Sequence, residues 1–111
     1  MAIVAAVLID AKTAENTDTT QYTSTGVTTI IDSFTATNYS ASAATISVNL
    51  VPSGGSVGNS NLIRKAKTLL PSEVYTFPEL VGQVLDTGDF ISTVAGTASA
   101  INIRASGRVI S

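Results

Sequence analysis

At 111 residues, with 44% hydrophobic and 13% charged residues, the chain is long enough for one domain with one core and too weakly charged for a solvated, disordered polymer. It has no His, Cys or Trp, which removes imidazole acid–base chemistry, thiol nucleophiles, disulfides and cysteine-held zinc or iron–sulfur centres. Six basic residues against eight acidic ones leave a net charge of -2, so there is no basic field to neutralise a phosphate backbone and no nucleic-acid partner is expected. The missing charge is replaced by 16 Thr and 13 Ser. With Val and Ile, the threonines favour pleated surfaces because a branched Cβ is stiff at χ1, so the expectation is an all-β protein without an enzymatic site or cofactor.

The apolar run of residues 2–9 is too short for a membrane span, has no Lys or Arg ahead of it and runs into Asp10. It reads as a strand, with neither a membrane partner nor an export signal, which makes a bacterial-type cytoplasm the expected site of synthesis. Residues 10–26 are polar and Thr-rich and read as a surface loop. Residues 27–37 form a strand with Ile30, Phe34 and Ala36 in phase, while Asp32 among them predicts a bulge or an edge position. The clearest alternation is in residues 44–51, with Ala44, Ile46, Val48 and Leu50 on one face and Thr45, Ser47 and Asn49 on the other. Residues 52–61, Pro-Ser-Gly-Gly-Ser-Val-Gly-Asn-Ser-Asn, read as a flexible loop. Further strands are expected over residues 62–70, 74–77, 81–85 and 90–95. In the last strand Ile101, Ile103, Ala105, Gly107 and Val109 alternate with Asn102, Arg104, Ser106 and Arg108, giving a basic outer face. These segments make about eight short strands, a single antiparallel β-sandwich over residues 1–111, jelly-roll-like or Ig-like. Patterning does not separate the two.

Val84-Leu85-Asp86-Thr87-Gly88 resembles the Asp-Thr-Gly motif of aspartic proteases, but only 25 residues follow Asp86, too few for that family's flap and bracing strand. The same residues make an ordinary turn, with Asp at the bend and Gly at positive φ. Asp86 and Asp89 are too few ligands for calcium, and no metal site is assigned. Arg64, Lys65 and Lys67 alternate along a strand without interleaved aromatics, so they read as solvated or edge-protecting residues. Asn38-Tyr39-Ser40 fits the glycosylation sequon and reads as a plain turn.

Taken together, residues 30–110 have a recognisable order: a strand, the Asn38-Tyr39-Ser40 turn, the strand Ala44-Thr45-Ile46-Ser47-Val48-Asn49-Leu50-Val51, a Gly/Ser loop, Asn61-Leu62-Ile63, then Leu85-Asp86-Thr87-Gly88-Asp89-Phe90-Ile91 and a closing Ile103-Arg104-Ala105-Ser106-Gly107 strand. This order is similar to small β-sandwich virion proteins of tailed phages, and with length and N-terminus included it resembles the capsid decoration (cement or staple) proteins of epsilon-fifteen-like short-tailed phages. The resemblance covers most of the chain through turn and strand patterns rather than a specific motif. It implies a jelly-roll-like virion protein on the outside of an icosahedral shell, bound to the major capsid protein, bridging capsomers as a homodimer and made in the host bacterial cytoplasm. A tail or fibre module that binds glycan, or a tail-completion subunit, is the alternative. No contact residues carry over with the resemblance. The expected interface is therefore read from local pattern: Ile3, Val4, Val7 and Ile9 on the apolar end strand, and Ser53, Gly54, Gly55, Val57 and Asn59 on the Gly/Ser loop. Residues 1–20 read as an N-terminal arm that either completes its own sheet or exchanges with a neighbouring chain.

Overall fold

Strand alternation commits each segment to one buried and one wet face, and two sheets laid face to face bury all the apolar faces at once. The computed structural model describes residues 2–111, so Met1, the first residue of the expected arm, lies outside the described residues. Among them are nine strands: β1 (Ile3–Thr13), β2 (Thr19–Thr23), β3 (Thr28–Asn38), β4 (Ala44–Val51), β5 (Leu62–Leu69), β6 (Val74–Tyr75), β7 (Val84–Leu85), β8 (Phe90–Ala95) and β9 (Ile101–Ile110). One sheet has the order β1-β9-β3, with β6 and β7 both pairing with β3; the other has the order β2-β8-β4-β5. Every pairing is antiparallel.

The wiring is nested: β4 pairs with β5, β3 with β6 and β7, β2 with β8 and β1 with β9, and successive pairs fall in alternate sheets. This is one long hairpin rolled around the core, the jelly-roll arrangement of two Greek keys, and it replaces the Ig-like alternative. Residues 10–26, expected to be a loop, instead hold the end of β1 and all of β2. Thr19, Thr20, Tyr22 and Thr23 pair with β8, and Thr13 pairs with Asn102. Branched threonines suit a ladder whose outer face is wet, and their polarity had masked the strand.

The core gathers Ile31, Phe34 and Ala36 from β3, Ile46 and Val48 from β4, Leu69 from β5, Ile91 from β8 and Ile101, Ile103 and Ala105 from β9. Phe77 and Leu80, in the crossover between β6 and β7, fill one lateral side. There the Phe77 ring meets Phe34 at 4.9 Å and Tyr75 at 4.7 Å, both edge-on.

Two departures from simple alternation decide which residues reach the surface. In β3 the register against β9 shifts between Ile31 and Ser33, the bulge expected at Asp32. β3 lies inside its sheet, although β7 pairs with it only at Thr29 and Ile30 and β6 only at Ala36 and Thr37, which leaves Asp32 between them with a strand on one side alone; the extra residue exchanges the faces, so that Ile31 joins Phe34 in the core while Ile30 turns outward. In β4 Leu50 keeps to the core side as expected, but Asn49 and Val51 on the opposite face are buried as well. They are covered by the segment 52–61, which folds back over them.

Gly107 is the residue that permits the close approach of β9 and β3. Register shifts lie on both sides of it, in β1 after Val7 and in β3 after Ile31, and a Cβ there would collide with the Ile30 carbonyl oxygen and lie 3.1 Å from Leu8 Cδ1. Gly107→Ala should therefore cost about 2–4 kcal/mol in chemical denaturation. Ala66 gives the opposite sign. It sits exposed in β5 at φ 48, in the left-handed region, so Ala66→Gly should raise stability by up to about 1 kcal/mol in the same measurement.

Candidate protein interface

A strand at the edge of a sheet presents unpaired main-chain groups, and the four edges of this sandwich differ in how they are protected. β2 is five residues long, and β6 and β7 have two each. β5 carries Arg64, Lys65 and Lys67, two register shifts against β4 and the left-handed Ala66, so the basic cluster does lie on an edge strand. β1 is the exception. From Ile3 to Val7 it pairs with β9 without a shift and contains neither a charge nor a proline.

The register also fixes which main-chain groups are free. Ala2 and Ser111 exchange two backbone hydrogen bonds, at 3.4 and 3.0 Å. Bonded and non-bonded pairs alternate along an antiparallel ladder, so Val4 with Val109 and Ala6 with Gly107 bond across to β9, while Ile3, Ala5 and Val7 turn their N–H and C=O away from it. The side chains of those three stand on the outer face of the sheet, in line with Ile110, Arg108 and Ser106 of β9. Ile3 is 62% exposed, Val4 54% and Val7 49%. Ile9 is not part of this surface: at 3% exposure it belongs to the core, because the register shift after Val7 turns it inward.

The same outer face carries Ile30 and Val84, which pair with each other across β3 and β7, and one ion pair. Asp32 accepts a bifurcated hydrogen bond from Arg108 Nε on its two carboxylate oxygens and a second, at 3.0 Å, from Nη2, and this raises the guanidinium pKa above its ordinary value. Sequence reasoning missed Ile30 and the ion pair because both depend on the bulge at Asp32. Ile110 was within reach, since continuing the alternation of β9 by one residue places it outside.

The segment 52–61 is stapled rather than open. Asn49 donates to the Gly58 carbonyl at 3.0 Å and to Asn61 Oδ1 at 2.7 Å, Asn61 donates to the Ser56 carbonyl, and a 3-10 turn closes over Asn59–Asn61. Ser53, Gly54, Gly55 and Asn59 are exposed and Val57 is half-buried. Asp89 ties the segment to the neighbouring turn by accepting the N–H groups of both Ser53 and Asp86 at 2.9 Å. With Gly88 at φ 93 and Asp89 N bonded to the Asp86 carbonyl, Asp-Thr-Gly-Asp is a turn. The 52–61 loop and Ile3 share one end of the sandwich, since Val51 pairs with Phe90, Phe90 with Thr23, and Ile3 with Ile110. They are not adjacent: the strand order puts β1 and β5 at opposite lateral edges of the two sheets.

At the β5 edge, Arg64 and Lys67 lie over the Tyr75 ring at 5.7 and 4.8 Å, and Tyr75 donates to Glu79 at 2.7 Å. This cluster clasps the edge of one sheet to the other. Near β2, Glu15 accepts from Lys12 and Gln21, each at 2.9 Å, and these bonds hold its carboxyl below the ordinary range.

Comparisons with protein families, with curated proteins and with solved structures give no match.

Two measurements follow from these contacts. Asn49→Ala removes the bonds that hold the 52–61 loop down and should cost about 1–3 kcal/mol in denaturant unfolding. The hydrogen bond to the Glu79 carboxylate raises the Tyr75 phenol above its ordinary value. The clasp therefore contributes fully below the ordinary tyrosine pKa and is lost as pH rises through the folded value. Spectrophotometric titration should show a phenol ionising late, and Tyr75→Phe should remove that phase.

Proposed function

We propose that the protein is a non-catalytic structural virion protein that binds the outside of an icosahedral phage capsid and stabilises it by bridging major capsid protein subunits. In this reading it acts as a homodimer, is made in the host bacterial cytoplasm, and requires no cofactor, nucleic acid or membrane. The observation that supports it is the unguarded stretch Ile3–Val7 of β1, where exposed apolar side chains flank free main-chain donors and acceptors on an otherwise hydroxyl-rich, weakly charged surface. Such an edge is an aggregation hazard in a free monomer and an asset in a protein whose working state is bound to others. The resemblance of residues 30–110 to decoration proteins of short-tailed phages names the kind of partner, a repeated protein lattice on which weak contacts add up. The exposed 52–61 loop lies at the same end and supplies polar contacts of the sort that close wet interfaces.

The test is co-sedimentation of purified protein with shells assembled without it, followed by electron microscopy of the decorated particles. Saturable density outside the shell at capsomer junctions, together with a higher temperature of shell disruption, is the expected result. Absence of binding to immature and mature shells alike would overturn the reading. Binding to a host glycan instead would point to the tail or fibre alternative.

A further inference from the structure

β1 presents an unpaired edge whose length and geometry match themselves. The free groups belong to Ile3, Ala5 and Val7, spaced symmetrically about Ala5. On one side this window ends at the register shift after Val7, followed by the buried Leu8 and Ile9 and the charged Asp10; on the other it ends at the start of β1. A strand laid antiparallel against it with its own Ala5 opposite Ala5 would set Ile3 opposite Val7 and Val7 opposite Ile3. Each of these three pairs is of the hydrogen-bonded type and exchanges two bonds, so every free donor and acceptor of the window is satisfied. No other register of a second β1 does this, because any shift leaves an outward-facing group of Ile3 or Val7 beyond the end of the pairing.

We infer that the β1 edge from Ile3 to Val7 is a junction for the same edge of a second copy, paired antiparallel about a two-fold axis at Ala5, so that the β1-β9-β3 sheets of two molecules run on as one. The inference rests on the homodimer in the reading above and specifies how that dimer is joined. Isologous strand addition satisfies both edges in one contact. The side chains agree with it. On the outer face Ile3 and Val7 of opposite chains come together on either side of the small Ala5 pair, and each half adds Ile110 and Ile30 to an apolar surface crossing the junction. The charges agree as well. The nearest cations, the two Arg108 side chains, stand three strand spacings apart, about 14 Å, and each is already held by its own Asp32. The other edges do not offer such a junction, since β5 is basic and bulged, β2 breaks register between Thr20 and Tyr22, and β6 and β7 have two residues each.

The geometry separates this junction from folding. The Ala5 N–H points away from β9, so Ala5→Pro removes a donor only at the free edge, a position where proline is tolerated. Ala6→Pro removes a donor to β9 and serves as the contrast, with loss of stability expected. In sedimentation equilibrium the unaltered protein should be a dimer, Ala5→Pro a folded monomer with an unchanged circular dichroism spectrum, and Val7→Lys should raise the dimer dissociation constant at least about tenfold. Because the chain has no cysteine, Ala5→Cys gives an independent reading: a short bis-maleimide should cross-link it across the axis, whereas Val84→Cys, on β7, should not cross-link. A monomeric unaltered protein, a dimer that survives Ala5→Pro, or an Ala5→Cys chain that stays uncross-linked as a dimer would each overturn the inference. Shell binding by Ala5→Pro, measured by the co-sedimentation above, decides the decoration reading separately.

Discussion

The sandwich depends on β9. It bonds β1 along one side and β3 along the other, and its alternate residues Ile101, Ile103 and Ala105 form the middle of the core. Both neighbours bulge where they pass Gly107, and those bulges determine what the outer face presents. Ile9 goes in, Ile30 comes out, and Asp32 is carried to within reach of Arg108. A residue without a side chain thus sets the chemistry of a surface made by other residues. The apolar character of that surface is a consequence of how three strands must bend to lie side by side, as much as of composition.

Much of this was legible in the sequence where local pattern decides. The alternation of residues 44–51 and 101–109 gives strands with the observed faces for most of their length, because period-two burial is a property of consecutive residues. Asp32 marks its own bulge, since a carboxylate among core positions must be turned out to water. What was not legible depends on pairing. Whether β1 lies beside β9 or beside some other strand is a relation between residues about a hundred positions apart, and it is by such pairings that the jelly-roll and Ig-like alternatives are told apart. The strand Thr19–Thr23 was hidden for a different reason: a threonine-rich edge is polar enough to look like loop, and only the ladder on its other side shows otherwise.

For the candidate interface, Ile3, Val4 and Val7 were readable as apolar residues of an end strand, and the structure leaves them exposed, while Ile9 was misplaced by one unseen register shift. The 52–61 segment was readable as a flexible loop but not as a pinned one, because Asn49, which pins it, looked like an ordinary outward residue of an alternating strand. Side chains that serve distant backbone are hard to find from pattern alone. The ion pair of Asp32 and Arg108 belongs to the same class, since its partners are 76 positions apart.

The nested wiring also imposes an order in time. On a ribosome β1 is made first, yet its ladder partner is the last strand to emerge, after every inner pair of the roll has had the chance to form. Until then the apolar stretch from Ile3 to Val7 lacks its ladder partner, and it is exposed on both edges rather than one. Such long-range closure is slow compared with the hairpin of β4 and β5 that can start the roll. The small charge of the chain offers little repulsion between nascent copies during that interval. The step most exposed to misassembly is therefore the final one, when β9 must reach β1 before another chain does.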